Sequence, residues 1–135
     1  MIIVLDTNIL VFGLLKGESK PGLIINKVAA GKIRLAYDFR IISEYNAVLR
    51  RPRFQFRESD IAAFLKQVEE EGVKVNPAAL KLNLPDPADL PFIEVAAALK
   101  TAPLVTGNAK HFPAQLTAGI KILTPAELYE ILPGI

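Results

Sequence analysis

Short runs of apolar residues alternate along the chain with longer segments in which apolar positions recur every three or four residues. The short runs show no polar alternation, which is typical of strands covered on both faces. They predict five strands, at residues 2–5, 33–37, 73–75, 103–106 and 121–123. Strands that alternate with helices predict an α/β fold, here a three-layer α/β/α domain with a central, mostly parallel sheet.

The segments with helical spacing predict five helices, at residues 21–30, 39–50, 59–71, 89–100 and 124–132. Gly31 favours a left-handed stop after the first of them. The last begins Thr124-Pro125-Ala126-Glu127, which predicts a capping box with proline at the first helical position. Ligands of open parallel sheets bind beyond the carboxyl ends of the strands, so residues that follow strands are the first candidates for a site.

The composition is that of one folded domain over residues 1–135, with 51% hydrophobic and 22% charged residues. No apolar stretch approaches the ~20 residues of a membrane span, and the N-terminus lacks the pattern of a secretory signal. The chain has no cysteine. Disulfides and thiolate zinc sites are therefore excluded, a metal would be held by oxygen or by the single histidine, and a cytoplasmic location is expected.

The first predicted strand runs directly into Asp6-Thr7-Asn8. Three short oxygen-bearing side chains in a row are more than one helix cap requires, which favours a functional site. The alternative is that Asp6 caps a helix that starts near Ile9, a role that aspartate fills well.

Three further acids have both a functional and a structural interpretation. Glu44 borders the apolar stripe of its helix, where an unpaired charge is costly, although it can also be a solvated flank residue. Asp86 precedes a proline, which predicts a turn. Asp89 is placed to cap the helix that carries Phe92, with the N–H of Phe92 as its partner, and one of its oxygens would still be available to a metal.

Polar residues also follow the strand at 103–106, in the stretch LVTGNAKHF. Gly107 permits a tight turn, and Asn108, Lys110 and His111 come after it. Asn108 lies where a strand tip would place it beside Asp6. His111, the single histidine, is either a surface residue or part of the same site.

Four arginines, Arg50, Arg51, Arg53 and Arg57, lie in the stretch LRRPRFQFR. One interpretation is a solvated basic loop. The other is an edge that binds RNA phosphates, with Phe54 or Phe56 available for base stacking.

Taken together, D-T-N-I-L, S-E-Y followed by V-L-R-R-P-R-F, D-P-A-D-L-P-F and L-V-T-G-N-A-K-H-F resemble the PIN-domain family, most of all its prokaryotic toxin branch. The resemblance covers essentially the whole chain and implies a metal-dependent ribonuclease. It implies that Asp6, Glu44 and Asp89 are the first three acids of the site and that Thr7 and Asn8 support the first. Asn108 stands where the family has its fourth acid, so the chain departs from the pattern there.

Carboxylates gathered at one point repel one another unless a cation lies among them, and Mg²⁺ and Mn²⁺ prefer oxygen ligands. Together with the activity that the resemblance implies, this leads us to expect a Mg²⁺- or Mn²⁺-dependent endoribonuclease. The expected ligands and catalytic residues are Asp6, Glu44, Asp89 and Asn108; the supporting residues are Thr7, Asn8, Asp86, Thr106 and His111; and the RNA-binding residues are Arg50, Arg51, Arg53, Arg57 and Lys110. Because an amide brings no negative charge, Asn108 predicts weaker binding at a second metal position.

The resemblance also implies the partners: an RNA substrate, a second copy of the chain in a homodimer, and the antitoxin of a type II toxin–antitoxin pair. A second hypothesis is an RNA- or protein-binding module whose metal site is impaired at Asn108. A receiver-like or nucleotide-binding domain is disfavoured, since no glycine-rich phosphate loop follows the first strand.

Overall fold

The computed structural model describes residues 1–108, 112 and 119–132. Its five strands are β1 (Ile2–Leu5), β2 (Arg34–Tyr37), β3 (Val73–Lys74), β4 (Leu104–Val105) and β5 (Ile122–Leu123). They form one sheet in the order β3-β2-β1-β4-β5, and every neighbouring pair is parallel. The predicted α/β fold with a five-stranded parallel sheet is confirmed, and each predicted strand end is within one residue of the observed one.

Helices flank the sheet. They are α1 (Thr7–Leu15), α2 (Lys20–Ala29), α3 (Phe39–Leu49), α4 (Glu58–Glu71), α5 (Leu90–Leu99) and α6 (Pro125–Ile131). The five predicted helices are present, and the capping box at Thr124 and Glu127 forms as expected. Across the residues that the structure describes, no helix combines the length and apolar character needed to cross a membrane.

Helix α1 was not among the predicted helices and entered only as the alternative interpretation of Asp6. Its sequence, TNILVFGLL, is apolar on every side, so it shows no helical periodicity. It packs closely on α2 through Gly13, where an added Cβ would lie 2.7 Å from Ile25 Cγ1 and 2.8 Å from the carbonyl oxygen of Pro21. A side chain at Gly13 would therefore push the two helices apart.

Strand β1 is the centre of the sheet and of the core. Ile3, Val4 and Leu5 are fully buried, with β2 on one side and β4 on the other. Chain order reverses between β1 and β4, and it is at such a reversal that parallel sheets open a crevice at their carboxyl edge. Asp6 follows β1 and Thr106 follows β4, so both lie at this crevice.

Candidate acidic site at the carboxyl edge of the sheet

Asp6 is held by bonds to both of its carboxylate oxygens. Oδ2 accepts a hydrogen bond of 2.7 Å from the hydroxyl of Thr106, a fully buried residue. Oδ1 accepts a long bond of 3.4 Å from the N–H of Asn8 and so caps α1. The structural interpretation of Asp6 as a helix cap is therefore correct, but the cap uses only one oxygen. The other ties the end of β1 to the end of β4.

Glu44 is joined to the same region through Thr7, whose hydroxyl donates a hydrogen bond to Glu44 Oε2. The next residue of α3, Tyr45, is fully buried and donates its hydroxyl to the carbonyl oxygen of Leu5. Burial raises the pKa of Tyr45 well above its usual value, and the charges of Asp6 and Glu44 raise it further. The bonds from Thr7 to Glu44 and from Tyr45 to Leu5 thus hold α3 against the end of β1, where Asp6 lies.

Asp86 and Asp89 approach from a 3₁₀ turn, Pro87–Asp89, that leads directly into α5. Asp86 Oδ1 accepts a bond of 3.0 Å from the N–H of Ala88, in keeping with the predicted turn. The predicted capping bond from Asp89 to Phe92 is wrong: Asp89 precedes α5, but its side chain caps no N–H of that helix. The reason is its backbone, which is already helical (φ −81°, ψ −13°), whereas a capping residue is usually extended.

A cavity of about 370 Å³, hereafter the acidic cavity, brings these side chains together. Its polar lining consists of Asp6, Thr7, Asn8, Glu44, Asp86, Asp89, Arg51 and Arg53. The remaining lining is mostly apolar: Val11, Phe12, Leu15, Val48, Phe54 and Ala88. Acids separated by up to 83 positions in the sequence, from Asp6 to Asp89, thus surround one space.

Asn108 occupies a different position from these acids. It is exposed and does not line the acidic cavity. Its backbone N–H donates a bond of 3.1 Å to the Thr106 hydroxyl, so Thr106 links Asn108 to Asp6. Lys110 and His111, also predicted for the site, lie outside the described residues.

The structure divides the four predicted RNA-binding arginines into two pairs. Arg50 forms a bidentate ion pair with Glu58, with bonds of 3.0 and 2.6 Å, and Arg57 pairs with Asp60 at 3.3 Å. Arg50 and Arg57 are therefore both paired with acids of α4. Arg51 and Arg53 instead line the acidic cavity.

Two aromatic rings adjoin the second pair. The guanidinium of Arg53 lies 4.8 Å from the centre of the Phe54 ring, and the rings of Phe54 and Phe56 stack 5.8 Å apart. A cation held over an aromatic face keeps its charge while its position is restrained. The edge of the cavity therefore carries positive charge and aromatic surface side by side.

The donor set fits Mg²⁺ or Mn²⁺, because its charged ligands are all carboxylates. Within residues 1–108, 112 and 119–132, however, no group of three or more histidine or acidic side chains is arranged so that it could already hold an ion. The acids surround the cavity without forming a ready ligand cluster. Binding an ion would require their carboxylates to move closer together.

Sequence reasoning missed a second buried network, made by Asp38, Arg40 and Glu94. Arg40 forms ion pairs of 2.6 Å with both Asp38 and Glu94, and the two carboxylates are buried. Two features of the sequence could have indicated this network. Asp38 follows β2 just as Asp6 follows β1, and Glu94 interrupts an otherwise apolar helix, LPFIEVAAAL.

A family model described as PIN domain matches residues 2–110 of the chain. The matched span contains every residue that lines the acidic cavity. Comparison with curated proteins and with solved structures gave no match.

Proposed function

Because the chain belongs to the PIN-domain family, we propose that it is a metal-dependent endoribonuclease. The observation that carries the proposal is the acidic cavity, where four carboxylates face one space beside two arginines. Such crowding is unfavourable for folding, since like charges repel, and it is explained if a divalent cation lies among them. The positive edge suits a substrate that is a polyanion.

Asp6, Glu44 and Asp89 would hold the ion, with Asp86 beside them. A bound Mg²⁺ or Mn²⁺ supplies an activated water and neutralises charge on a phosphodiester. The protein's own part is positional: Thr106 orients Asp6, and Thr7 orients Glu44. Arg51 and Arg53 bind the phosphates of the RNA backbone and hold it against the acids.

The direct test is cleavage of a circular single-stranded RNA, since only an endonuclease can open it. Wild-type protein should cut with Mn²⁺ or Mg²⁺ and stop cutting with EDTA, and Asp6→Asn should lose on the order of 100-fold in rate. Asp60→Asn is the matched control, because Asp60 is an exposed acid of α4 that pairs with Arg57. Equal cutting by Asp6→Asn would mean a contaminating nuclease and would refute the proposal.

Metal binding can be measured separately from cleavage, through its effect on thermal stability. An ion that binds only the folded chain stabilises it by about 2.7 kcal/mol at 100 times its dissociation constant. Mn²⁺ should therefore raise the melting temperature of the wild type and of Asp60→Asn, but not of Asp6→Asn. No shift in any variant would contradict the metal site independently of the cleavage assay.

The biological role that we propose is the toxin of a type II toxin–antitoxin pair, acting in the cytoplasm as a homodimer. Its support is the resemblance of the motifs to the prokaryotic toxin branch. Expression should arrest growth, and Asp6→Asn should abolish the arrest. Co-expression of the product of a small reading frame immediately upstream should also relieve it, and light scattering would give the oligomeric state.

A second candidate function is a binding module with little or no nuclease activity. The exposed amide of Asn108, outside the lining of the acidic cavity, favours it, as does the lack of a ready ligand cluster in the described part of the chain. This function predicts RNA or protein binding that is unaffected by EDTA, no cleavage, and no stabilisation by Mn²⁺.

A further inference from the structure

A second cavity, of about 580 Å³, lies at the carboxyl ends of β2 and β3. We call it the Phe39 cavity. It is formed by the start of α3, by the segment that follows β3, and by one buried residue of α5; the side chains that matter are Asp38, Phe39, Arg40, Lys74, Asn76 and Glu94. None of them lines the acidic cavity.

The two acids of the Phe39 cavity are already neutralised within the protein. Arg40 pairs with Asp38 and Glu94 at 2.6 Å each, and Glu94 Oε2 also accepts a 2.6 Å bond from the N–H of Leu80. These bonds raise the pKa of Arg40 although burial opposes them, so the guanidinium stays charged. Lys74 is exposed and, within the residues described, takes part in no ion pair. It is the cation that a ligand could use.

Phe39 provides a flat apolar surface at the same cavity. It is 76% exposed, more than any other large apolar side chain in the described part of the chain. A phenyl ring left in water in the cavity that Lys74 and Asn76 also line is suited to a ligand with an aromatic face, polar edges and negative charge. A nucleotide has all three.

The Phe39 cavity adjoins the acidic cavity. Arg40 and Glu44 are four residues apart on α3 and therefore on one face of it, with Cβ atoms about 5–6 Å apart, yet they line different cavities. Likewise Asp38 follows β2 and Asp6 follows β1, on neighbouring strands about 5 Å apart. The two cavities therefore adjoin along α3 and at the neighbouring ends of β1 and β2, so one strand of RNA could reach both.

We propose that the Phe39 cavity binds the nucleotide of single-stranded RNA next to the phosphate held at the acidic cavity. The base stacks on Phe39, its edge bonds to Asn76, and its phosphate contacts Lys74. The Asp38–Arg40–Glu94 network holds the start of α3 and thereby fixes the position of Phe39. The inference rests on the proposed ribonuclease function and describes how the protein binds the RNA substrate next to the acidic cavity.

The test measures binding without cleavage, using a fluorescent single-stranded RNA hexamer and protein in EDTA. Phe39→Leu, which keeps an apolar side chain but removes the ring, should weaken binding about ten-fold, whereas Phe39→Trp should restore it. Lys74→Gln should flatten the slope of log K against log salt by about 0.7, and Lys74→Arg should retain it. Tyr129→Leu and Lys121→Gln are the matched controls, since both residues are exposed near β5 at the opposite edge of the sheet.

The cleavage assay separates this inference from the proposed function. If Phe39→Leu raises KM with kcat unchanged, the ring contributes uniform substrate binding and both proposals stand. Cleavage and RNA affinity equal to wild type in Phe39→Leu would overturn the Phe39 cavity and leave the nuclease intact. Metal-independent RNA binding that depends on Phe39, without any cleavage, would support the cavity and refute the nuclease. Loss of self-association in Phe39→Leu, with RNA affinity unchanged, would show a protein contact and overturn the inference.

Discussion

Thr106 offers the sharpest test of what positions Asp6 in the acidic cavity, because its single hydroxyl takes part in two hydrogen bonds. It donates to Asp6 Oδ2 at 2.7 Å and accepts from the N–H of Asn108 at 3.1 Å, and the residue is fully buried. Thr106→Val preserves shape and removes both bonds. A hydrogen bond to a charged acceptor contributes roughly 1.5–3 kcal/mol. The bond from exposed Asn108 can be replaced by water, so we expect a net loss of about 2 kcal/mol.

The assay is urea unfolding at pH 7. With an m value of about 2 kcal/mol per molar urea, the midpoint should fall by about 1 M with the slope unchanged. Thr106→Ser keeps the hydroxyl and loses one buried methyl group, so it should cost only about 1 kcal/mol. The smaller loss in the serine variant would show that the hydroxyl matters more than the methyl.

A double-mutant cycle with Asp6→Ala isolates the bond between the two side chains. If the hydroxyl acts through Asp6, Thr106→Val should cost less than ~1 kcal/mol in the Asp6→Ala background, giving a coupling energy above ~1 kcal/mol. An equal cost in both backgrounds would refute the reasoning, since Thr106 would then stabilise the chain independently of Asp6.

Three other predictions concern charge. Asn108→Asp should raise Mn²⁺ affinity by adding a negative charge near the strand ends, and an unchanged calorimetric titration would contradict this. Arg51→Gln should flatten the salt dependence of RNA binding, whereas Arg50→Gln should alter it little because Arg50 is paired with Glu58; equal slopes in the two variants would count against the division of the arginines. The pKa of Tyr45 is raised in the folded state, so the protonated Tyr45 hydroxyl contributes fully to the free energy of unfolding below pH ~10. This contribution is lost as the pH rises above ~10, by up to about 1.4 kcal/mol per pH unit. Tyr45→Phe should therefore show a shallower loss in alkaline unfolding, and an identical pH profile would contradict the burial argument.

Local patterns predicted most elements because their causes are local. The buried strands read as short apolar runs, and the capping box at Thr124 and Glu127 needs only residues three apart. Helix α1 was not predicted because its sequence lacks such a local pattern. A helix that is apolar on every side has no helical period to detect, and its close packing on α2 at Gly13 is a tertiary contact.

Sequence also predicted which acids to examine, because Asp6 stands at a strand end and Glu44 beside an apolar stripe. It gave Asp89 the wrong structural role. The capping prediction assumed an extended backbone before α5, whereas the chain enters the helix through a 3₁₀ turn. That turn is closed by bonds from the N–H groups of Ala88 and Asp89 to Asp86.

The charge pairs between residues far apart in the sequence were decided by the tertiary structure. Four arginines that look alike in sequence divide into two that pair with α4 and two that line the acidic cavity, because α4 presents Glu58 and Asp60 to only one pair. The network of Asp38, Arg40 and Glu94 likewise joins residues up to 56 positions apart. Apolar periodicity can be detected from residues that are close together in the sequence. Which distant charged residues meet depends instead on which helices and strands the fold places next to each other.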